Sequence, residues 1–354
     1  MASDDEFVKK QHHTLIPLNI PGAYTTPAPP EEFNIDDTSP ADLIRHGIYW
    51  RRPEPGDPPV MAAAWEALLS RRWYVKDRVV PYLVPRPARP RFPRNVTRVD
   101  NGFNNASWAG CVLTGQWIGA IGQWVVPTVS KPSEPQGTEY PGWWSSSWVG
   151  IGGDLAVEND LLQAGVDQEV LPNGQTNYFP WFEWWVPAPP PPCPDPTGCT
   201  NGYPNSWVNP TNGKYQYINP ITIYQDSNKK PFSVSPGQTI SVAVAYINNN
   251  TAGQISFGNV TTGQNFSITL QPPPTSQFDG KCVEWIMEAP GGGEPNTSLP
   301  KFTPVTFTNA AGCVTGNAAA GNPQNGQIWN IVSGSKTLTS TTIGNDTVTI
   351  TFTG

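Results

Sequence analysis

From Asn101 to Gly354 the chain consists of short runs rich in Val, Ile, Thr, Trp and Tyr, separated by Gly, Pro, Asn and Ser, and none of it carries an apolar stripe at helical spacing. Side chains alternate across an extended strand, so such runs pack as sheets, and the small and polar residues between them reverse the chain. The predicted strands are Trp108 to Leu113, Gly122 to Val126, Ser147 to Ile151, Leu161 to Val170, Tyr178 to Val186, Thr239 to Asn248, Gln254 to Asn259, Gln264 to Leu270, Val283 to Glu288, Lys301 to Asn309, Ile328 to Val332 and Thr347 to Phe352. Turn pairs such as Asn173-Gly174, Asn212-Gly213 and Thr262-Gly263 separate several of them. Many short strands without a fixed period indicate an all-β fold, an antiparallel β-sandwich or barrel forming one large domain over residues 99–354.

Residues 1–98 differ in kind. Residues 1–60 are crowded with proline and show little periodicity, which predicts extended or weakly ordered structure. A helix is expected over Val60 to Trp73, where Ala62, Ala63, Trp65, Leu68 and Leu69 form an apolar stripe. The chain then turns basic, with nine Arg and Lys from Arg71 to Arg98 against Asp77 alone, and prolines at 81, 85, 87, 90 and 93. Beyond residue 100 there are 7 Lys and no Arg against 15 acids, which leaves that part at −8. A phosphate backbone would be repelled by this charge, so no nucleic acid is expected, and the acidic domain itself is the simplest partner for the basic segment. Few cations also limit self-repulsion in acid, so the composition is compatible with work at low pH.

Several chemistries drop out. All three histidines, His12, His13 and His46, precede residue 99, so the domain has no histidine base or ligand of its own. No G-x-S-x-G elbow or phosphate-binding loop occurs, and Gly150-Ile151-Gly152-Gly153 lacks the third glycine of a dinucleotide loop. The five cysteines follow no zinc spacing, so neither metal nor cofactor is expected. Cys193 and Cys199 are read as a disulfide closing a Pro-rich loop, Cys282 and Cys313 as a second pairing, and Cys111 as unpaired. Residues 101–130 carry no charge, but Asn101, Gln116, Gln123, Pro127 and repeated Gly argue against a membrane span.

What remains for hydrolysis is water activated by a carboxylate, in an aspartic-type, glutamic-type or glycosidase-type site. In Cys282-Val283-Glu284-Trp285-Ile286-Met287-Glu288, strand parity puts Glu284, Ile286 and Glu288 on one face. Four residues of strand hold the two acids about 13 Å apart, beyond the reach of paired carboxyls in sugar hydrolysis. A partner must therefore come from another strand. By the same parity Trp148, Gly150, Gly152 and Asp154 share a face, as do Gln163 and Asp167, and Trp181, Glu183 and Trp185. Polar groups interleaved with tryptophan suit a groove for an extended ligand, although each tryptophan alone would equally fill a core.

Five ordered motifs carry a resemblance. Ser147-Trp148-Val149-Gly150-Ile151-Gly152-Gly153-Asp154, Leu161-Leu162-Gln163-Ala164-Gly165, Trp181-Phe182-Glu183-Trp184, Asn259-Val260-Thr261-Thr262-Gly263-Gln264 and Val283-Glu284-Trp285-Ile286-Met287-Glu288 resemble those of the eqolisins, the glutamic peptidases. The likeness begins near Asn105-Ala106-Ser107-Trp108 and runs to the C-terminus. It implies a concanavalin A-like jelly roll and acid-active endopeptidase chemistry, with Gln163 and Glu288 as the catalytic dyad. It places Trp148, Asp154, Asp167, Trp181 and Glu183 around that dyad. Gly152 stands where the family commonly has Asp, which bears on local hydrogen bonding and pH optimum. The resemblance further implies peptide substrates and a secreted, monomeric enzyme, although Met1 to Lys10 lacks the apolar core of a secretory signal. It also makes residues 1–98 a propeptide that inhibits the groove and is cut between Arg94 and Asn101. The competing readings are a jelly-roll glycoside hydrolase, a carbohydrate-binding lectin and a noncatalytic sandwich.

Overall fold

The computed structural model describes residues 14–50, 52–57, 59–68, 78–85, 97–99, 102–133, 142–153, 160–185, 207–208, 215–247, 251–273, 276–278, 280–289, 299–314 and 321–354. Two large sheets form the molecule, with strands numbered in chain order. The first runs β1 (Ile16–Pro17), β2 (Ala23–Thr25), β16 (Asn265–Leu270), β15 (Ala252–Asn259), β14 (Thr239–Ile247), β7 (Gly119–Val125), β19 (Val305–Cys313), β23 (Val348–Phe352) and β22 (Thr339–Ile343). The second runs β12 (Trp207–Val208), β13 (Tyr215–Tyr224), β11 (Thr176–Trp185), β10 (Leu161–Val170), β9 (Trp143–Gly152), β17 (Cys282–Glu288), β6 (Trp108–Thr114), β20 (Gln327–Ser333), β5 (Gly102–Asn105) and β4 (Thr97–Val99). Beside these paths β3 (Tyr82–Pro85) pairs with β13 and β21 (Lys336–Thr337) with β20, while β8 (Val129–Ser130) and β18 (Lys301–Phe302) form a small ribbon.

The inward faces meet as a sandwich. From the second sheet come Val149, Ile151, Leu162, Phe182, Trp184, Val283, Trp285 and Met287; from the first come Ile240, Val242, Val244, Ile255, Phe257, Phe266 and Phe307. These alternate with the residues on the opposite face of each strand, as the pleat requires. Trp285, fully buried, donates its Nε1–H to the Ile121 carbonyl at 2.7 Å and so ties the two sheets together. The all-β, antiparallel sandwich read from the sequence is the observed fold, and each predicted strand lies on an observed one. Lys301 to Asn309 divides into β18 and β19. Asn309 takes φ 50°, and the register between β19 and β7 breaks between Thr308 and Ala311, the mark of a bulge.

Among the described residues the N-terminal part is largely irregular with two helices, Pro40–Arg45 and Pro59–Leu68; the second lies on the expected Val60 to Trp73, whose residues 69–73 lie outside the described ones. Its apolar residues are nonetheless packed, contrary to the weak order expected of residues 1–60. Leu15, Tyr24, Ile35, Leu43, Ile48, Trp50 and Trp65 cluster with Ile121, Ala243, Ala245, Ile247 and Ala311 on the outer face of the first sheet. The prolines interrupt secondary structure there without preventing burial of the residues between them.

The pairing of Cys282 with Cys313 is overturned. Cys282 is a thiol on the outer face of the second sheet, donating to Gly152 O at 3.3 Å and Glu284 Oε1 at 3.0 Å. Cys313 is a thiol on the first sheet, 3.8 Å from Met61 Sδ. Parity separates them, because each points away from the core shared by the two sheets. Cys111 is a buried thiol, and Cys193 and Cys199 lie outside the described residues.

Candidate active site

The outer face of the second sheet collects the residues singled out above, and strand register shows how. Gln163 on β10 faces Glu183 on β11 and Gly150 on β9, and Gly150 faces Glu284 on β17. Two residues along, Trp181, Gly165, Trp148, Ile286 and Gly110 stand in a row. Two further, Phe179, Asp167, Ser146, Glu288 and Trp108 form the third. On this grid Gln163 shares its row with Glu284, across Gly150, whereas Glu288 stands four residues along the strands and two strands over from Gln163, with Trp148 midway on that diagonal.

Glycine makes these rows possible. A Cβ at Gly165 would lie 2.2 Å from the Ser147 carbonyl oxygen and 2.5 Å from Trp148 Cβ. Trp148 packs edge-on against Trp108 at 5.0 Å and 77°, Trp108 tilts against Trp329 at 6.2 Å, and Trp329 stacks on Phe103 at 5.0 Å. This aromatic wall crosses β9, β6, β20 and β5. Trp329 and Phe103 were not anticipated; parity within Gln327–Ser333 would have put Trp329 on this face, but nothing local tied that strand to the motifs.

Three hydrogen bonds fix the polar groups. Trp148 Nε1–H donates to Glu288 Oε2 at 2.9 Å. Gln163 Nε2–H donates to Glu183 Oε2 at 2.7 Å. Trp181 Nε1–H donates to Ser146 Oγ at 2.9 Å, giving a role to a serine that sequence reasoning passed over. The carboxylate of Glu183 accepts only, so the amide nitrogen of Gln163 must face it. Gln163 Oε1 is then left buried with no donor among the described residues. Gln163, Glu183, Glu284 and Asp167 are buried, whereas Glu288 is half-buried. Four carboxylates on one face, when ionised, make a negative field that favours a basic or neutral partner.

Gly152 sits at the end of this face at φ 87°, and a Cβ there would meet the Asp160 carbonyl oxygen at 2.0 Å. The backbone of this chain therefore excludes the aspartate that the eqolisin pattern places here. Asp154 lies outside the described residues. The glycoside hydrolase reading needs a bulge to bring Glu284 and Glu288 together. Strand β17 instead pairs residue for residue with β6 from Cys282 to Glu288 and with β9 from Val283 to Glu288, which keeps the two acids about 13 Å apart.

The sequence profile of the peptidase A4 family matches residues 106–352, which span both sheets and every motif named above. The fold and this match define a glutamic endopeptidase, whose substrates are proteins and peptides. Aspergillopepsin-2 of Aspergillus niger is 29% identical over 270 residues, covering 71% of this chain and 80% of its own. The chain belongs to the peptidase A4 family. Among solved structures, scytalido-glutamic peptidase with a transition state analog inhibitor matches 72% of this chain and 100% of its own at 19% identity and TM-score 0.47. Aspergilloglutamic peptidase from Aspergillus niger matches 60% and 99% at 26% identity and TM-score 0.43.

Proposed function

We propose that the protein is an acid-active peptidase in which Glu288 is the general base and Gln163 the oxyanion donor. Ionised Glu288 takes a proton from water as that water attacks the peptide carbonyl, then returns it to the leaving amine. Gln163 spends one amide hydrogen on Glu183, and its other amide hydrogen donates to the developing oxyanion. Neither donor nor acceptor of glutamine titrates, which suits work in acid. The observation that carries this reading is the polarity left over on one face. Gln163 Oε1 is a buried acceptor without a donor among the described residues, at a cost of about 1–3 kcal/mol, and Glu288 is held by Trp148 through one oxygen while its side chain stays half-buried. The aromatic wall is the surface along which an extended peptide lies.

The same reading makes residues 1–98 a propeptide-like segment and residues 99–354 the peptidase domain of a secreted monomer. The basic run lies against the carboxylate face near neutral pH and loosens as those carboxylates protonate, and cleavage falls between Arg94 and Asn101. In support, β3 and β4, which precede and follow residues 86–96, stand at opposite ends of the sheet that carries the carboxylates. The test is digestion of a denatured protein at acid pH. Gln163→Ala is expected to lose about 100- to 1000-fold in kcat and Glu288→Ala about 100- to 10,000-fold. Retained proteolysis in both variants would end the proposal.

A further inference from the structure

The outer face of an antiparallel sheet in a two-sheet sandwich usually meets water and is polar. On the first sheet that face is buried, and part of it is apolar. Ile121, Ala243, Ala245, Ile247 and Ala311 occupy that face, and none is more than 6% exposed. They are covered by Tyr24, Ile35, Leu43, Ile48, Trp50 and Trp65, all from the N-terminal part.

The cover is also hydrogen-bonded in place at buried positions. Thr25 Oγ1–H donates to the Ser267 carbonyl at 2.7 Å, and Gln254 Nε2–H reaches the Gly47 carbonyl. The backbone continues both sheets. Strand β2 extends the first sheet beyond β16, and β3 extends the second beyond β13, with Leu83 in the main core at 1% exposure. Asn19 Nδ2–H and Oδ1 bond Leu83 O and Leu83 N at 2.8 Å each, so the two additions are tied to each other. Departure of this segment would bare an apolar sheet face and open an edge on each sheet at once, both hazards for association with other chains.

We infer that residues 14–85 are a permanent third layer of the enzyme and not a discarded leader: once the chain is cut downstream of Pro85, they stay bound as a second, noncovalent chain. The inference goes beyond the catalytic reading and is independent of it, since none of these contacts involves the Gln163 and Glu288 face.

A full-length chain carrying a foreign protease site between Arg89 and Pro90, in a Glu288→Ala background that removes self-digestion, tests it. After cleavage both fragments are expected to elute at the intact volume in native buffer and to separate only in denaturant. A Tyr24→Ala, Trp50→Ala double variant, altered only on the N-terminal fragment, is expected to release that fragment at least tenfold faster. Separation of the unaltered fragments in native buffer would overturn the inference, whether the larger one stays folded or precipitates. Equal release rates for the two versions would overturn the assigned contact.

Discussion

The indole of Trp148 holds Glu288 from the strand next door: its Nε1–H lies 2.9 Å from Oε2, and its ring is fully buried against Trp108. Glu288 therefore meets solvent with one oxygen committed and its orientation fixed. Trp148→Phe keeps most of the ring and deletes the donor. A hydrogen bond to a charged group is worth about 1.5–3 kcal/mol, so kcat/KM is expected to fall roughly 10- to 150-fold while the thermal midpoint moves little. Steady-state kinetics beside thermal unfolding check this; an unchanged kcat/KM would show that Glu288 needs no such anchor.

On the proposed mechanism Glu183 acts through Gln163, whose amide N–H donates to it at 2.7 Å. With Glu183→Ala the Gln163 amide loses the acceptor that sets which way it points. The expected loss is about tenfold or more in kcat with KM nearly unchanged, because substrate still finds the aromatic wall. In a Gln163→Ala background the same substitution should cost almost nothing, since residues in one hydrogen-bond network do not add. Equal losses in both backgrounds would mean that Glu183 works elsewhere.

Strand parity made the face legible: Gln163, Asp167, Trp181, Glu183 and Glu288 share it, as alternation along each run required. Which strands stand next to one another is fixed by long-range pairing, so Trp329 and Phe103 stayed hidden. Strand β13 was missed because it contains Pro220. Its register with β11 slips between Phe182 and Trp184, where a missing N–H does least harm. The helix Pro40–Arg45 had a local signature, Ser39 capping the Asp42 amide with Pro40 in the first turn, which the density of prolines obscured. The packing of the N-terminal part could not be read at all, since its partner is a sheet face assembled from strands far apart along the chain, from β7 to β19.

Gly165 is needed for space. The atoms nearest an added Cβ are the Ser147 carbonyl oxygen at 2.2 Å and the Cβ and Cα of Trp148 at 2.5 and 2.7 Å, all too close to the backbone to swing aside. Gly165→Ala is expected to cost about 3 kcal/mol, at the upper end of overpacking effects, by forcing β9 and β10 apart. Denaturant unfolding measures it. At Gly150 the nearest atoms belong to the Trp148 ring, the Glu284 carboxylate and the Leu161 side chain, at 2.8, 2.9 and 3.0 Å, so Gly150→Ala should be milder in stability. A larger loss at Gly150 than at Gly165 would contradict the packing described.

Cys111 ties stability to alkaline pH. Burial, reinforced by the nearby charge of Glu284, pushes its thiol from 9.0 up to about 12. A raised folded-state value means that the folded chain resists ionisation that the unfolded chain accepts. The contribution is fully present below about pH 9 and is lost as pH climbs toward 12. Three units correspond to about 4 kcal/mol at the upper limit. Tyrosines and lysines titrate in the same window, so the measurement is a difference: urea unfolding of the wild type and of Cys111→Ala at pH 8 and pH 11. The wild type is expected to lose more stability between the two pH values than the variant does. Equal losses would mean that the thiol reaches water in the folded protein, which its position against the Pro323 carbonyl at 3.4 Å argues against.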